Sequence, residues 1–245
     1  MSKIYKPKEL AINVAAPPGF DARAVPIIEV CTGQAKVPDA VLSPTAIVAK
    51  FQNPPIWQPE ITDENRHVIA ADIIAKRQAA GKVTRAAVLI PLLLKSDGLW
   101  VLLTQRTNHL RDHAGQISFP GGRMDPEDTS PNETALRESE EEIGLKRDRV
   151  EIIGHLPEYL TVSGYRVTPI VGLVKPQAEY VLDEFEVADI FEVPLHFLMD
   201  PANHQIRVWQ SEQGSRRFYS MPYEDHFIWG ATAGMLRNLY HLLKV

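Results

Sequence analysis

At 245 residues, 44% apolar and 23% charged, the chain has the make-up of a globular protein with one good core and a smaller appendage. Its net charge of −5, with no basic stripe, argues against a nucleic-acid partner, and its single cysteine, Cys31, excludes an internal disulfide and fits a reducing, cytoplasmic setting. The longest apolar run, Ala86 to Leu94, falls short of the roughly 20 residues that span a bilayer, and no apolar stretch follows Lys3, Lys6 and Lys8 to make a secretory signal, so no membrane partner is expected.

Nine of the 19 prolines precede residue 60, which marks residues 1–80 as a Pro-rich N-terminal extension, mostly extended or irregular. Its apolar clusters, Val25 to Val30 and Ala46 to Phe51, imply that it lies on the main domain. Thr62-Asp63-Glu64-Asn65 opens a helix predicted over 62–80, which Gly81 ends. From residue 83 the pattern is a strand (Val83 to Leu94), a turn at Ser96-Asp97-Gly98, a strand (Leu99 to Gln105), a Gly-rich loop and a helix. That helix starts at a capping box, Ser130-Pro131-Asn132-Glu133, with Pro at the first helical position, and stops at Gly144. Strands are predicted at Val150 to Gly154, Val167 to Val174, Ile206 to Gln210 and Arg217 to Met221. A last helix is predicted from about Ile228 to Leu243, with Ala231, Met235, Leu239 and Leu242 at helical spacing. Strands broken by one helix and closed by another make an α/β (α+β) chain with a mixed central sheet between helices.

The middle helix carries four carboxylates in five positions. Glu138, Glu141 and Glu142 stand at i, i+3 and i+4, so they share one face and repel one another. A divalent cation removes that repulsion, and hard cations such as Mg²⁺ take carboxylate oxygens while leaving room for substrate phosphates. The plain alternative is a solvated acidic face. Against it, no Lys or Arg follows the acids within the helix, and the first basic residue after them is Lys146.

The segment from Gly122 to Leu145 resembles the signature box of the Nudix hydrolases, enzymes that cleave a diphosphate joining a nucleoside to another group. Arg137, Glu138, Glu141, Glu142, Gly144 and Leu145 match, within a box spanning about 121–145. Ser139 replaces an apolar residue, and Gly122 stands one residue too far from Arg137, so Glu127 and Asp128 both lie near the place of the box's first Glu, the brace for the arginine. Leu102 to Gly122, LLTQRTNHLRDHAGQISFPGG, is similar to the additional motif of the coenzyme A pyrophosphatase subgroup, differing at Thr107 and Ile117.

The resemblance covers residues 83–245. It implies a Nudix α/β/α sandwich and hydrolysis of coenzyme A or a derivative to 3′,5′-ADP and 4′-phosphopantetheine. It also implies Mg²⁺ or Mn²⁺ on Glu138, Glu142 and Glu141, with a turn carbonyl at Gly122 completing the shell. One of the carboxylates would act as base, and Arg137 would support them. Glu186 is a further candidate for either role, though a strand-edge acid fits it equally well. Arg106 and Arg111 are expected to bind substrate phosphate, since Arg forks suit phosphate and never lose charge. His113, Gln116 and Gly121 are expected to line the substrate beside them. Two other readings stand: a Nudix hydrolase of ADP-ribose, a dinucleotide or a nucleoside triphosphate, and a non-catalytic ligand sensor, which the three intact acids argue against. A second copy of the chain, as a homodimer, is the candidate protein partner.

Overall fold

The computed structural model describes residues 20–60, 83–109, 115–161, 164–211 and 214–245. The helix predicted at 62–80, and Arg111 and His113, lie outside the described residues.

The long apolar run becomes β2 (Thr84–Lys95), the axis of the larger sheet. Its upper half pairs antiparallel with β3 (Gly98–Arg106) through the predicted turn, and β8 (Tyr165–Val174) runs parallel along its other edge. The sheet is completed by β4 (Ile117–Ser118), β5 (Gly121–Arg123), β6 (Val150–His155), β7 (Tyr159–Leu160) and β9 (Val187–Pro194). One parallel pair in an otherwise antiparallel sheet makes it mixed, as expected. Side chains alternate across β2: Ala87, Leu89 and Leu93 join Ala135 and Ile143 of the acidic helix (Pro131–Ile143), whereas Ala86, Ile90 and Leu92 join Met235, Leu236 and Leu239 of the C-terminal helix (Gly230–Leu243). The sheet is thus buried on both faces between helices, which is why β2 reads as a continuous apolar run.

The C-terminal strands depart from the single-sheet expectation. β10 (Gln205–Ser211), β11 (Gly214–Tyr223) and β12 (His226–Trp229) form a separate antiparallel sheet, and β1 (Ile27–Val30) pairs with β10 to complete it. Ile228 belongs to β12, and the last helix begins two residues later, where Gly230 at φ 62° turns the chain. A helix at Pro44–Gln52, capped by Ser43, sets Phe51 against Gly154 of β6, where any β-carbon would collide with the ring. Among the described residues, no helix is long and apolar enough to cross a membrane.

Arg237 of the C-terminal helix is fully buried and ties these parts together. Its guanidinium donates to His204 Nδ1 (2.9 Å), Gln34 Oε1 (2.9 Å) and Glu60 Oε2 (2.9 Å), and lies over the rings of Tyr219 and Tyr240. Because Arg has only donors, His204 Nδ1 must accept, so its Nε2 carries the proton donated to the Leu198 carbonyl.

Candidate active site

The acidic helix is held at both ends by its own sequence. Ser130 Oγ accepts from Glu133 N–H, and the Glu133 carboxylate reaches back to Thr129 N–H, one residue before the expected partner. Gly144 closes the helix in the left-handed region at φ 65°, donating to the Glu140 carbonyl, while Leu145 N–H returns to Ser139 O. Ser139 is fully buried where an apolar residue was expected. Its hydroxyl donates to Ala135 O (2.6 Å), which satisfies the one polar atom it brings into the core.

The brace is Asp128, not Glu127. Arg137 donates Nε to Asp128 Oδ1 (3.0 Å) and Nη2 to Oδ2 (2.8 Å), a bidentate pair with a nearly inaccessible carboxylate. Thr134 Oγ1 and Asp125 N–H also donate to Asp128. Led by the Arg137 bonds, these contacts hold the Asp128 carboxyl well below the usual carboxylate range. The same guanidinium reaches Glu141 (2.9 Å), Glu138 (3.1 Å) and the Arg123 carbonyl (3.1 Å). Arg137 therefore fixes the loop, the helix and β5 at one point.

The two glycines of the Phe119-Pro120-Gly121-Gly122 turn are required for different reasons. Gly121 has φ 149°, and a β-carbon there would strike the backbone of Ala87 and Val88. A β-carbon on Gly122 would strike the carboxylate of Glu138, which rests on that residue. Gly121 N–H donates to Glu142 Oε2 (3.0 Å). Glu138 and Glu142 thus converge on the turn, whereas Glu141 projects outward beside Arg137.

Burial raises the Glu142 carboxyl to about 8 despite the Gly121 bond and the Arg106 charge, and Glu138 and Glu186 push it the same way. Burial also raises Glu138, opposed by Arg137 and reinforced by Glu141 and Glu186. Arg106, at the end of β3, lies between two acids, Nη1 3.6 Å from Glu142 and Nη2 3.7 Å from Glu186. The structure thus brings Glu138, Glu142, Glu186, Arg106 and both glycines together. Gln116 lies on the same loop, its carbonyl accepting from Arg106 N–H (2.9 Å). Among the described residues, no three His, Cys, Asp or Glu side chains close around a common point, since Arg106 and Arg137 stand between the acids.

Glu186 sits on a connection that sequence periodicity does not reveal. Val181 N–H donates to Ile143 O and Asp183 N–H to Glu142 O, so this connection is bonded to the end of the acidic helix. Glu186 N–H then returns to Asp183 O, and Thr107 N–H donates to Glu186 O (3.0 Å). Thr107 also donates Oγ1 to Phe185 O (2.8 Å), a bond that an alanine could not make.

A family model described as the NUDIX domain matches residues 83–220. The curated proteins called uncharacterized Nudix hydrolase NudL from Yersinia pestis (strain Pestoides F) and Yersinia pseudotuberculosis (serotype O:1b, strain IP 31758) are 44% identical over 161 residues, covering 66% of this chain and 80% of theirs. Among solved structures, the Mycobacterium smegmatis Nudix hydrolase RenU aligns at 21% identity and TM-score 0.40, over 46% of this chain and 71% of its own. A C. elegans Ap4A hydrolase binary complex aligns at 20% identity and TM-score 0.41, over 49% and 86% respectively.

Proposed function

This chain belongs to the Nudix hydrolase family, and from that premise we propose that it hydrolyses the diphosphate bond of coenzyme A or a derivative. The observation that carries the coenzyme A reading is the Leu102 to Gly122 motif. Its fixed residues build the site: Arg106 meets Glu142 and Glu186, and Phe119 to Gly122 form the turn on which Glu138 and Glu142 converge.

The donor set suits Mg²⁺ or Mn²⁺. Glu138 and Glu142 are hard oxygen ligands whose charge is disfavoured by burial and by neighbouring carboxylates, and the missing side chain of Gly122 leaves Glu138 lying against the turn. A bound cation supplies neutralisation of charge on the diphosphate oxygens and acidifies water. Glu138 and Glu142 would hold it, with the turn at Gly122 as a further donor, whereas Glu141, expected from the sequence as a third ligand, is turned outward onto Arg137. Arg137 keeps Glu138 and Glu141 in place, and Arg106 balances Glu142 and Glu186 until substrate enters. The base that takes the proton of the attacking water is drawn from the two acids outside that pair, the exposed Glu141 and the half-buried Glu186.

The test is hydrolysis by the full chain with Mg²⁺ or Mn²⁺, following release of 3′,5′-ADP and 4′-phosphopantetheine. Coenzyme A should be preferred over 3′-dephospho-coenzyme A by about ten- to a hundredfold in kcat/KM, the value of charge-assisted bonds to the extra phosphate. Arg111→Ala should shrink that preference. Arg106→Ala should weaken both substrates together, because Arg106 is engaged with the acids at the diphosphate. Faster turnover of ADP-ribose or of a dinucleotide would displace the coenzyme A reading and keep the family.

A further inference from the structure

Phe185 is 65% exposed, an unusual state for a large aromatic side chain, and it stands one residue from Glu186. Its backbone is pinned on both sides: its N–H donates to Asp183 Oδ1 (2.9 Å) and its carbonyl accepts from Thr107 Oγ1 (2.8 Å). The ring of His109 lies 4.8 Å away, tilted by 57°, so the two rings make a corner. Val181 on the same connection is exposed too but has no ring, and the others, Ile27, Ile28 and Val30 on the edge strand β1 with Ile56 and Val245, belong to other parts of the chain.

The charge around the corner selects what it can take. Asp183, Glu184 and Glu186 share its connection, three acids against the one Arg106 guanidinium 3.7 Å from Glu186, so a neutral flat ring bearing amino donors suits it better than a phosphate. The pantetheine arm offers saturated chain and amides, with no ring face to match the Phe.

We propose that Phe185 and His109 form the nucleobase subsite of this hydrolase, the base stacking on Phe185 while the phosphates run towards Glu138 and Glu142. The inference rests on the reading of the acidic site as one that cleaves a nucleoside diphosphate derivative. It adds the residues that hold the nucleoside end.

AMP and 4′-phosphopantetheine serve as separate probes for the two halves of the substrate, their binding measured by calorimetric titration of wild type, Phe185→Ala and Phe185→Tyr. Removing the ring should weaken AMP about tenfold, within the range for one stacked base, and Tyr should restore it. Phosphopantetheine affinity should stay unchanged. In turnover, Phe185→Ala should raise KM more than it lowers kcat. The ring is mostly exposed, so the thermal midpoint should hold, and a large fall would make Phe185 structural and overturn the proposal. Unchanged AMP affinity in Phe185→Ala, no measurable AMP binding by wild type, or weakening of phosphopantetheine instead would overturn it too. AMP binding does not require coenzyme A to be the substrate. An intact AMP contrast without coenzyme A turnover therefore sinks only the coenzyme A reading, and turnover without the contrast sinks only the subsite.

Discussion

Glu142→Gln should leave the protein folded and lower kcat by at least about a hundredfold, equivalent to about 2.7 kcal/mol of transition-state stabilisation. The amide keeps the shape of the side chain and can still accept from Gly121 N–H, so the turn has no reason to move. What it lacks is the charge that would hold a cation, and one positioned cation is worth several kcal/mol at the transition state. The measurement is steady-state turnover at saturating Mg²⁺ or Mn²⁺, beside a thermal melt in chelator. The melt should stay level near neutral pH, where a carboxyl raised to about 8 is already largely uncharged without a cation, and rise above that pH, where the amide removes the cost of ionising it beside Glu138 and Glu186. Wild-type turnover would remove Glu142 from the chemistry, and a large fall in the melt would make it a structural residue.

Arg237→Met should be the most destabilising of the changes considered. It deletes a fully buried cation and leaves His204 and Glu60 facing a gap in their hydrogen bonding. Breaking a buried pair from one side typically costs about 3–5 kcal/mol, which for a chain of this size lowers the thermal midpoint by roughly 10 °C. The same network makes a pH prediction. Burial alone would raise the Glu60 carboxyl, but bonds from His241 and Arg237 outweigh it and bring it down to about 2. A folded-state value below the ordinary 4.5 means the contribution is complete above that pH and is lost as pH falls towards 2. Wild type should therefore lose stability across that acid window, and Glu60→Gln should flatten part of the loss. A midpoint in Arg237→Met within about 2 °C of wild type would show that the network contributes little.

The parts of the site that were legible in the sequence are those set by local signals. The acidic helix announces itself through Ser130, Pro131 and Gly144, and its boundaries fall where those residues put them. The register of its acids follows from helical spacing, yet spacing could not say that Glu138 and Glu142 turn inward while Glu141 faces out. That division comes from the tertiary contact with Gly121 and Gly122. The one-residue insertion before the helix hid the brace, and only the fold shows that Asp128 meets Arg137. β9 and the preceding turn, which bring Glu186 to Arg106, pair with β3 across some 80 residues, too far for any periodic pattern to reveal. The four-stranded sheet was hidden for the same reason, since β1 gains a partner only when β10 folds back onto it.

The connection from Val181 to Val187 is bonded at one end to the acidic helix and at the other to the start of the Gly-rich loop. Surface connections ordinarily open at little free-energy cost, independently of the elements they join. This one cannot. To release Glu186 it must give up bonds to the carbonyls of Glu142 and Ile143 and to Thr107 together, so its opening is tied to fraying of the helix end and the strand edge. Amide exchange at Asp183, Glu186 and Thr107 should therefore proceed at similar rates, as one cooperative unit. The carboxylate on the loop and the carboxylates on the helix are thereby held in a common frame by hydrogen bonds, though no shared element joins them.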